Sequence, residues 1–259
     1  MTEWTAIVVG KKPKLDKPVL VEGLPGIGNV GKVATDFMVE ELKAEKICEF
    51  FSYKLPHSVF VNEGNLVELP SISMYAKKGK KQDILFVAGD VQPIDEESSY
   101  SFCEKVLDIF QAMGGKEIVT LGGIGLPNVP RKPKVYCTGN SKEIVKRYSI
   151  EGVESKLYGI VGPIIGVSGL LLGLAKRRKI EAACLLAETY GHPMYLGIKG
   201  AREIVRVLNE KLFLGIDLKE LDKEINEIEE ETTKKTKLGI KSKALRSLGK
   251  LGKDVSYIG

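Results

Sequence analysis

Residues 18–33 read PVLVEGLPGIGNVGKV, and this stretch decides the fold class. Pro18–Glu22 is an apolar run closed by one acid, the pattern of a buried strand. Four glycines follow, Gly23, Gly26, Gly28 and Gly31, with Pro25 among them. From Lys32 to Leu42, Val33, Phe37 and Leu42 fall on one side of a helix. A buried strand, a tight glycine loop and a helix form the opening unit of a parallel α/β sheet.

The same alternation continues outward. Thr5–Val9, Lys46–Tyr53 and Ser58–Val61 read as strands. Asn65–Leu69 and Ile72–Lys77 read as antiparallel neighbours split by Pro70. Asp83–Ala88 is a further buried run, and Ser98–Met113 is an amphipathic helix stopped by Gly114 and Gly115. Glu117–Leu121 is a strand leading into a loop at Gly122-Gly123-Ile124-Gly125. Val135–Thr138 is extended, and Ser141 caps a helix to Tyr148. Gly159–Val161 leads to a glycine-rich helix at about 166–178, Glu181–Ala187 is the last strand, and Gly200–Leu214 is a helix ending at Gly215. The expectation is one α/β body over 1–215, a mainly parallel sheet sandwiched between helices.

Asp217 opens a different kind of segment. Leu218, Leu221, Ile225 and Ile228 are spaced three, four and three, with charge nearly everywhere between. So narrow a stripe suits a coiled-coil seam, so 216–233 is expected to be an oligomerisation helix, begun by the capping pair Asp217 and Glu220. Residues 234–259 are expected to form a flexible basic tail.

Composition limits what the protein does. Hydrophobic residues are 43% and charged residues 28% of the 259-residue chain, as in an ordinary folded protein. The net charge is +5, yet residues 231–259 alone carry eight Lys and Arg against Glu231 and Asp254. The body is therefore near neutral, which disfavours nucleic acid as a partner; RNA binding would have to run through the tail. The apolar stretch from Tyr158 to Ala175 contains five glycines and a proline, and reads as strand, loop and helix rather than a membrane span. The N-terminal MTEWTAIVVGKKPK lacks the pattern of a signal peptide. Cys48, Cys103, Cys137 and Cys184 are scattered without a CxxC, so no metal site is expected, and buried thiols in a reducing cytoplasm are.

The glycine loop fits two nucleotide templates. Gly26, Gly28 and Gly31 read as G-x-G-x-x-G. Gly26 to Lys32 reads as a Walker A loop, except that Val33 stands where a Ser or Thr hydroxyl would hold Mg²⁺. The acid a dinucleotide site needs about 20 residues on has Glu45 and Glu49 as nearest candidates, neither cleanly at a strand end. The competing reading is that these glycines let one backbone approach another. Asp90, Glu188 and His192 also follow buried runs, where the loops of a parallel sheet converge. They could make a hydrolase or phosphorylase site, but no G-x-S-x-G elbow is present; Ser168 in Gly166-Val-Ser168-Gly169 is shifted.

Five stretches taken together, GLPGIGNVGK, GDVQP (89–93), LGGIGLPNVP (121–130), GPIIGVSGLLLG (162–173) and LLAETYGHP (185–193), resemble the archaeal form of the proteasome assembly chaperone 2 family. The likeness spans about residues 15–215. It implies an α/β core of the phosphorylase/hydrolase kind without established catalysis or cofactor. It also implies self-assembly into a ring of about four or five subunits and action on 20S proteasome α subunits. Members of the family are expected to end in a hydrophobic–Tyr–X tripeptide whose carboxylate meets a lysine between α subunits. Here Val255-Ser256-Tyr257-Ile258-Gly259 puts the tyrosine third from the end and a serine before it. One residue of register moves an extended chain by roughly 3.3 Å and turns the side chain over.

The expected protein is thus a non-enzymatic, cytoplasmic, homo-oligomeric chaperone or adaptor, with a docking peptide at Val255–Gly259. The alternative is a nucleotide-dependent, ATP-grasp-like ligase or phosphorylase-like enzyme using loop 23–32.

Overall fold

The computed structural model describes residues 4–10, 13–223 and 225–227. In chain order the elements are β1 (Thr5–Val8), β2 (Val19–Gly23), α1 (Val30–Glu41), β3 (Glu45–Phe51), β4 (Phe60–Val61), β5 (Val67–Glu68), β6 (Ile72–Lys77), β7 (Ile84–Gly89) and α2 (Glu96–Ala112). There follow β8 (Glu117–Leu126), β9 (Val135–Gly139), α3 (Lys142–Tyr148), β10 (Val153–Glu154), α4 (Val167–Arg177), β11 (Glu181–Tyr190) and α5 (Ile198–Leu212). Nine strands form one sheet in the order β1-β3-β6-β7-β2-β8-β11-β9-β10, and β4 pairs with β5 apart from it.

The alternation of β2 explains the layers. Val19 and Val21 face a core built with α1, α3 and α5, while Leu20 faces a second core built with α2 and α4. Successive side chains of a strand point to opposite faces, so an apolar run with no polar alternation must be covered twice. The result is a sheet with helices on both sides, as the sequence pattern requires.

The expected mainly parallel sheet is corrected to a mixed one. The centre, β7-β2-β8-β11, is parallel. β6, β3 and β1 extend it antiparallel on one side, and β9 lies antiparallel to β11 on the other. No helix lies between β3 and β6 or between β6 and β7, and a parallel crossover needs about a dozen residues, usually helical. The expected pairing of Asn65–Leu69 with Ile72–Lys77 is also overturned. β5 pairs with β4, whereas β6 lies between β3 and β7.

Two strands outrun their expected ends. β8 continues through Gly122–Leu126 and β11 through Glu188–Tyr190, paired to each other throughout. The run LGGIG is therefore strand, not loop. Residues 159–161, read as a strand, make only a bridge between Tyr158 and Val161. Among the described residues no helix is long and apolar enough to cross a membrane.

The stripe after residue 216 lies against its own body. Leu221 is fully buried, and Leu218 and Ile225 pack on the core that holds α1 and α5. Two contacts fix the segment. Asn209 on α5 exchanges side-chain hydrogen bonds with the Ile216 backbone at 2.9 and 3.0 Å. Arg202 pairs with Asp222 at 2.9 Å. The chain's own core thus takes up side chains that the sequence pattern assigned to a seam between copies, because α5 presents apolar residues on the side they meet. Asp217 does cap the segment, accepting from Lys219 N–H at 3.0 Å. Ile228 and Val255–Gly259 lie outside the described residues.

Candidate functional site

The five stretches that carry the family resemblance meet at one edge of the sheet, above the C-terminal ends of β2, β7 and β8. Glu22 ends the apolar run of β2 and is fully buried. Its carboxylate accepts from Ser168 Oγ at 2.9 Å and from Leu24 N–H at 3.1 Å. The same hydroxyl lies 3.3 Å from the Leu121 carbonyl oxygen, a second acceptor for its one proton. Burial pushes the Glu22 carboxyl up to about 7, against the lowering pull of the Ser168 and Leu24 hydrogen bonds. Gln92, from the GDVQP stretch, spans the gap beside it. Its amide donates to the Pro25 carbonyl, and its Oε1 accepts from Val167 N–H at 3.1 Å, at the start of α4.

Lys32 is buried at the first turns of α1, and its ammonium is spent inside the fold. It donates to the Gly89 carbonyl at 3.0 Å, lies 3.4 Å from Asp90 Oδ1 and pairs with Asp36 at 2.8 Å. Asp90 accepts in turn from Ser71 Oγ at 3.1 Å. In a phosphate-binding loop this ammonium would be presented to the ligand; here it locks α1 to β7.

The glycines serve close backbone approach. A Cβ on Gly23 would lie 2.2 Å from the Gly31 carbonyl oxygen, and one on Gly31 would lie 2.6 Å from that of Leu121. Gly28, at φ +60°, lies over β11, where a Cβ would meet Thr189 Oγ1 at 2.5 Å; its carbonyl accepts from Gly197 N–H at 2.7 Å. The extended part of β8 supplies the floor, since a Cβ on Gly123 would come 2.2 Å from the Ile27 oxygen. The loop is packed onto the strands beneath it. Gly26, by contrast, faces open space.

Gly23, Pro25, Gly26, Gly28 and Gly31 are thus brought together. Asp90, Glu188 and His192 are not: β2 and β8 separate β7, which leads into Asp90, from β11, which carries Glu188 and leads into His192. Glu188 accepts from Tyr136 OH and Lys134 N–H, toward β9, and His192 Nδ1 accepts from Met194 N–H within its own turn. Glu45 and Glu49 lie on β3, with β6 and β7 between them and β2, so neither stands at a strand end beside the glycine loop. The four cysteines are buried and form no disulfide, and burial pushes the Cys137 and Cys184 thiols up to about 12. Among the described residues no cluster of His, Cys, Asp and Glu has the geometry to hold a metal ion.

Two residues that sequence reasoning passed over organise this edge. Glu22 was legible as the one acid attached to a buried apolar run. Gln92 gives no sequence signal, because its partners lie 67 and 75 residues away.

Around these satisfied polar groups the rim is apolar. Ile27, Ile94, Ile160, Ile165 and Met194 are exposed, and Tyr158 is fully so. Such a rim fits contact with another macromolecule better than a cavity for a small substrate.

A family model described as the PAC2 family matches residues 20–236. The chain belongs to the PAC2 family. An uncharacterised Methanocaldococcus jannaschii protein, MJ1210, is 30% identical over 246 residues, covering 95% of this chain and 93% of its own. Among solved structures, Pyrococcus furiosus PbaB, described as an archaeal proteasome activator, superposes with a TM-score of 0.82 at 33% identity, covering 90% of this chain and 99% of PbaB. Pyrococcus furiosus PbaA, described as an archaeal homolog of proteasome-assembly chaperone, gives 0.75 at 26% identity, with 91% and 92% covered. The PAC2 match takes in every stretch that meets at the Glu22–Ser168 edge.

Proposed function

We propose that this PAC2 protein is a non-enzymatic chaperone or activator that acts on 20S proteasome α subunits as a homo-oligomer, docking through its C-terminal tail. The observation that carries the reading is the likeness to PbaB over nearly the whole length of both chains. The candidate site supports it from the chemical side. Lys32, Asp90, Ser168 and Glu22 are engaged with one another or with backbone, and the surface around them is apolar. Steering by the basic tail followed by anchoring of Val255, Tyr257 and Ile258 is the proposed mode of docking. Ser256 and Gly259 set the register of the tyrosine.

The test is direct. The full chain, incubated with an archaeal 20S proteasome, is expected to co-sediment with it and to change its peptide-hydrolysis rate. Separate sedimentation with an unchanged rate would overturn the reading.

A further inference from the structure

β4 and β5 form a two-stranded ribbon apart from the main sheet, with Val61 opposite Val67 and Phe60 opposite Glu68. Side chains alternate along a strand, so Val59, Val61, Val67 and Leu69 share one face. All four are between 51% and 69% exposed. A lone ribbon is marginal in water and gains stability when such an apolar face is covered. Its turn is nonetheless firmly built. Asn62 Oδ1 accepts from Gly64 N–H at 2.9 Å and from Leu66 N–H at 3.0 Å, and its Nδ2 donates to Glu68 at 2.8 Å. An arm ordered in this way loses little freedom when it docks. Its charge is of one sign: from Pro56 to Pro70 there are two acids, Glu63 at the turn and Glu68 on the reverse face, and no Lys or Arg.

The same edge of the main sheet carries a surface of the opposite charge. β3 is antiparallel to β6 and β6 to β7, so β3 runs with the central strands and releases the ribbon at their C-terminal ends. β8 and β11 end there too, with β7 and β2 between them and β6. At the end of β11, Tyr190 stacks on His192 at 5.7 Å and meets Tyr195 edge-on at 5.6 Å, and Met194 is exposed in the same turn. After β8, Val129, Arg131, Lys132 and Lys134 are exposed, and residues 127–141 contain no acid. The Lys134 carbonyl accepts from Glu188 N–H at 3.0 Å, which ties this basic loop to β11. The Glu188 carboxylate is already occupied by Lys134 N–H and Tyr136 OH.

We infer that the β4–β5 ribbon of one copy docks on the aromatic, basic surface at the ends of β8 and β11 of a second copy. The aliphatic face of the ribbon is covered by the rings and Met194, and its acids meet the field of Arg131, Lys132 and Lys134. Charge selects this occupant. The chain's own tail, with eight Lys and Arg and no acid over 234–253, suits the ribbon and is repelled by the basic surface. A nucleic acid suits the basic surface and is repelled by the ribbon. Another copy of the chain satisfies both surfaces at once. Because both lie at one edge of the sheet, two copies meeting edge to edge about a two-fold axis make the contact twice. The inference rests on the self-association proposed above and names the surface that carries it; proteasome binding is read separately, by co-sedimentation.

The experiment uses the full chain at low salt. Val67→Asp puts a charge in the middle of the exposed aliphatic face and is expected to at least halve the mass seen by light scattering, with the circular dichroism spectrum unchanged. The pair Glu63→Lys and Glu68→Lys is expected to lower the mass, and so is the pair Lys132→Glu and Lys134→Glu. All four changes together are expected to restore it, because exchanging the two charges repairs only a contact between these two surfaces. An unchanged mass in Val67→Asp would overturn the inference and assign the ribbon to the chain's own tail or to a different protein. No recovery in the fourfold variant, or a wild-type mass that falls after nuclease treatment, would also overturn it, while leaving the oligomer itself in place. A monomeric wild-type chain would overturn it together with the self-association on which it rests.

Discussion

Ser168, at the start of α4, donates its hydroxyl proton to the Glu22 carboxylate at the end of β2, 146 residues away and fully buried. This bond and the bridge from Gln92 to Val167 hold α4 against the glycine loop. Cys103 and Cys184 are near enough for the Glu22 charge to raise both thiols further, after burial itself. A group buried so deeply reports its titration in the stability of the whole domain.

The first prediction is a pH profile. The Glu22 carboxyl is raised from 4.5 to about 7 in the fold, so between those values the native state holds a proton that the unfolded chain has released. Its contribution is greatest below pH 4.5, is lost as pH rises to about 7, and is flat above. The loss is on the order of 3 kcal/mol. Glu22→Gln stays neutral and can still accept from Leu24 N–H. Urea unfolding at pH 5 to 8 should show a flatter profile in the variant and greater stability at pH 8. Parallel profiles would contradict the assignment.

The second prediction separates packing glycines from nucleotide glycines. Gly31→Ala puts a Cβ 2.6 Å from the Leu121 oxygen and should cost about 1–3 kcal/mol or more, the usual cost of overpacking. Gly26→Ala meets open space and should leave the melting temperature unchanged. Calorimetry with ATP and Mg²⁺ should show no micromolar binding, because Lys32 is tied to Gly89, Asp90 and Asp36 and Val33 supplies no hydroxyl. Micromolar affinity would contradict this.

How far the sequence could be read follows from the range of each interaction. The unit β2–loop–α1 was legible because its signals are local: an apolar run, four glycines, a helical stripe. Ser141 was correctly read as the cap of α3, and it accepts from Ile144 N–H at 3.2 Å. The start of α2 was read at Ser98; the helix begins at Glu96, and Asp95 caps it by accepting from Ser98 N–H at 2.7 Å. Gly122, Gly123 and Gly125 suggested a loop, since nothing local reveals that β11 continues beside them or that Ile27 needs the space above Gly123. The pairing of Lys32 with Asp90 and of Glu22 with Ser168 depends on topology and has no spacing that could be read. The apolar stripe after Asp217 was read correctly as a stripe. Its cover was misjudged, because the apolar side of α5 that receives it is identified only by the fold.

The third prediction concerns that stripe. Leu221 is fully buried on the body, so Leu221→Ala should destabilise the protomer by about 2–5 kcal/mol, as a buried truncation does. Urea unfolding checks this, and light scattering at the same concentration shows whether mass follows. A seam between copies alone would give a lower mass with unchanged protomer stability, and that outcome would contradict the intrachain packing.

The central claim is that the chain engages the 20S proteasome through its last residues. The most direct test is the affinity of the full chain and of a variant lacking Val255–Gly259 for an immobilised archaeal 20S proteasome, both first shown to have the same oligomer mass and unfolding curve. The account predicts measurable binding by the full chain and at least a tenfold loss on truncation. Equal binding by the two proteins would contradict it and move the docking surface to the body, with the exposed rim of Ile27, Ile94 and Ile165 as the surface to vary next.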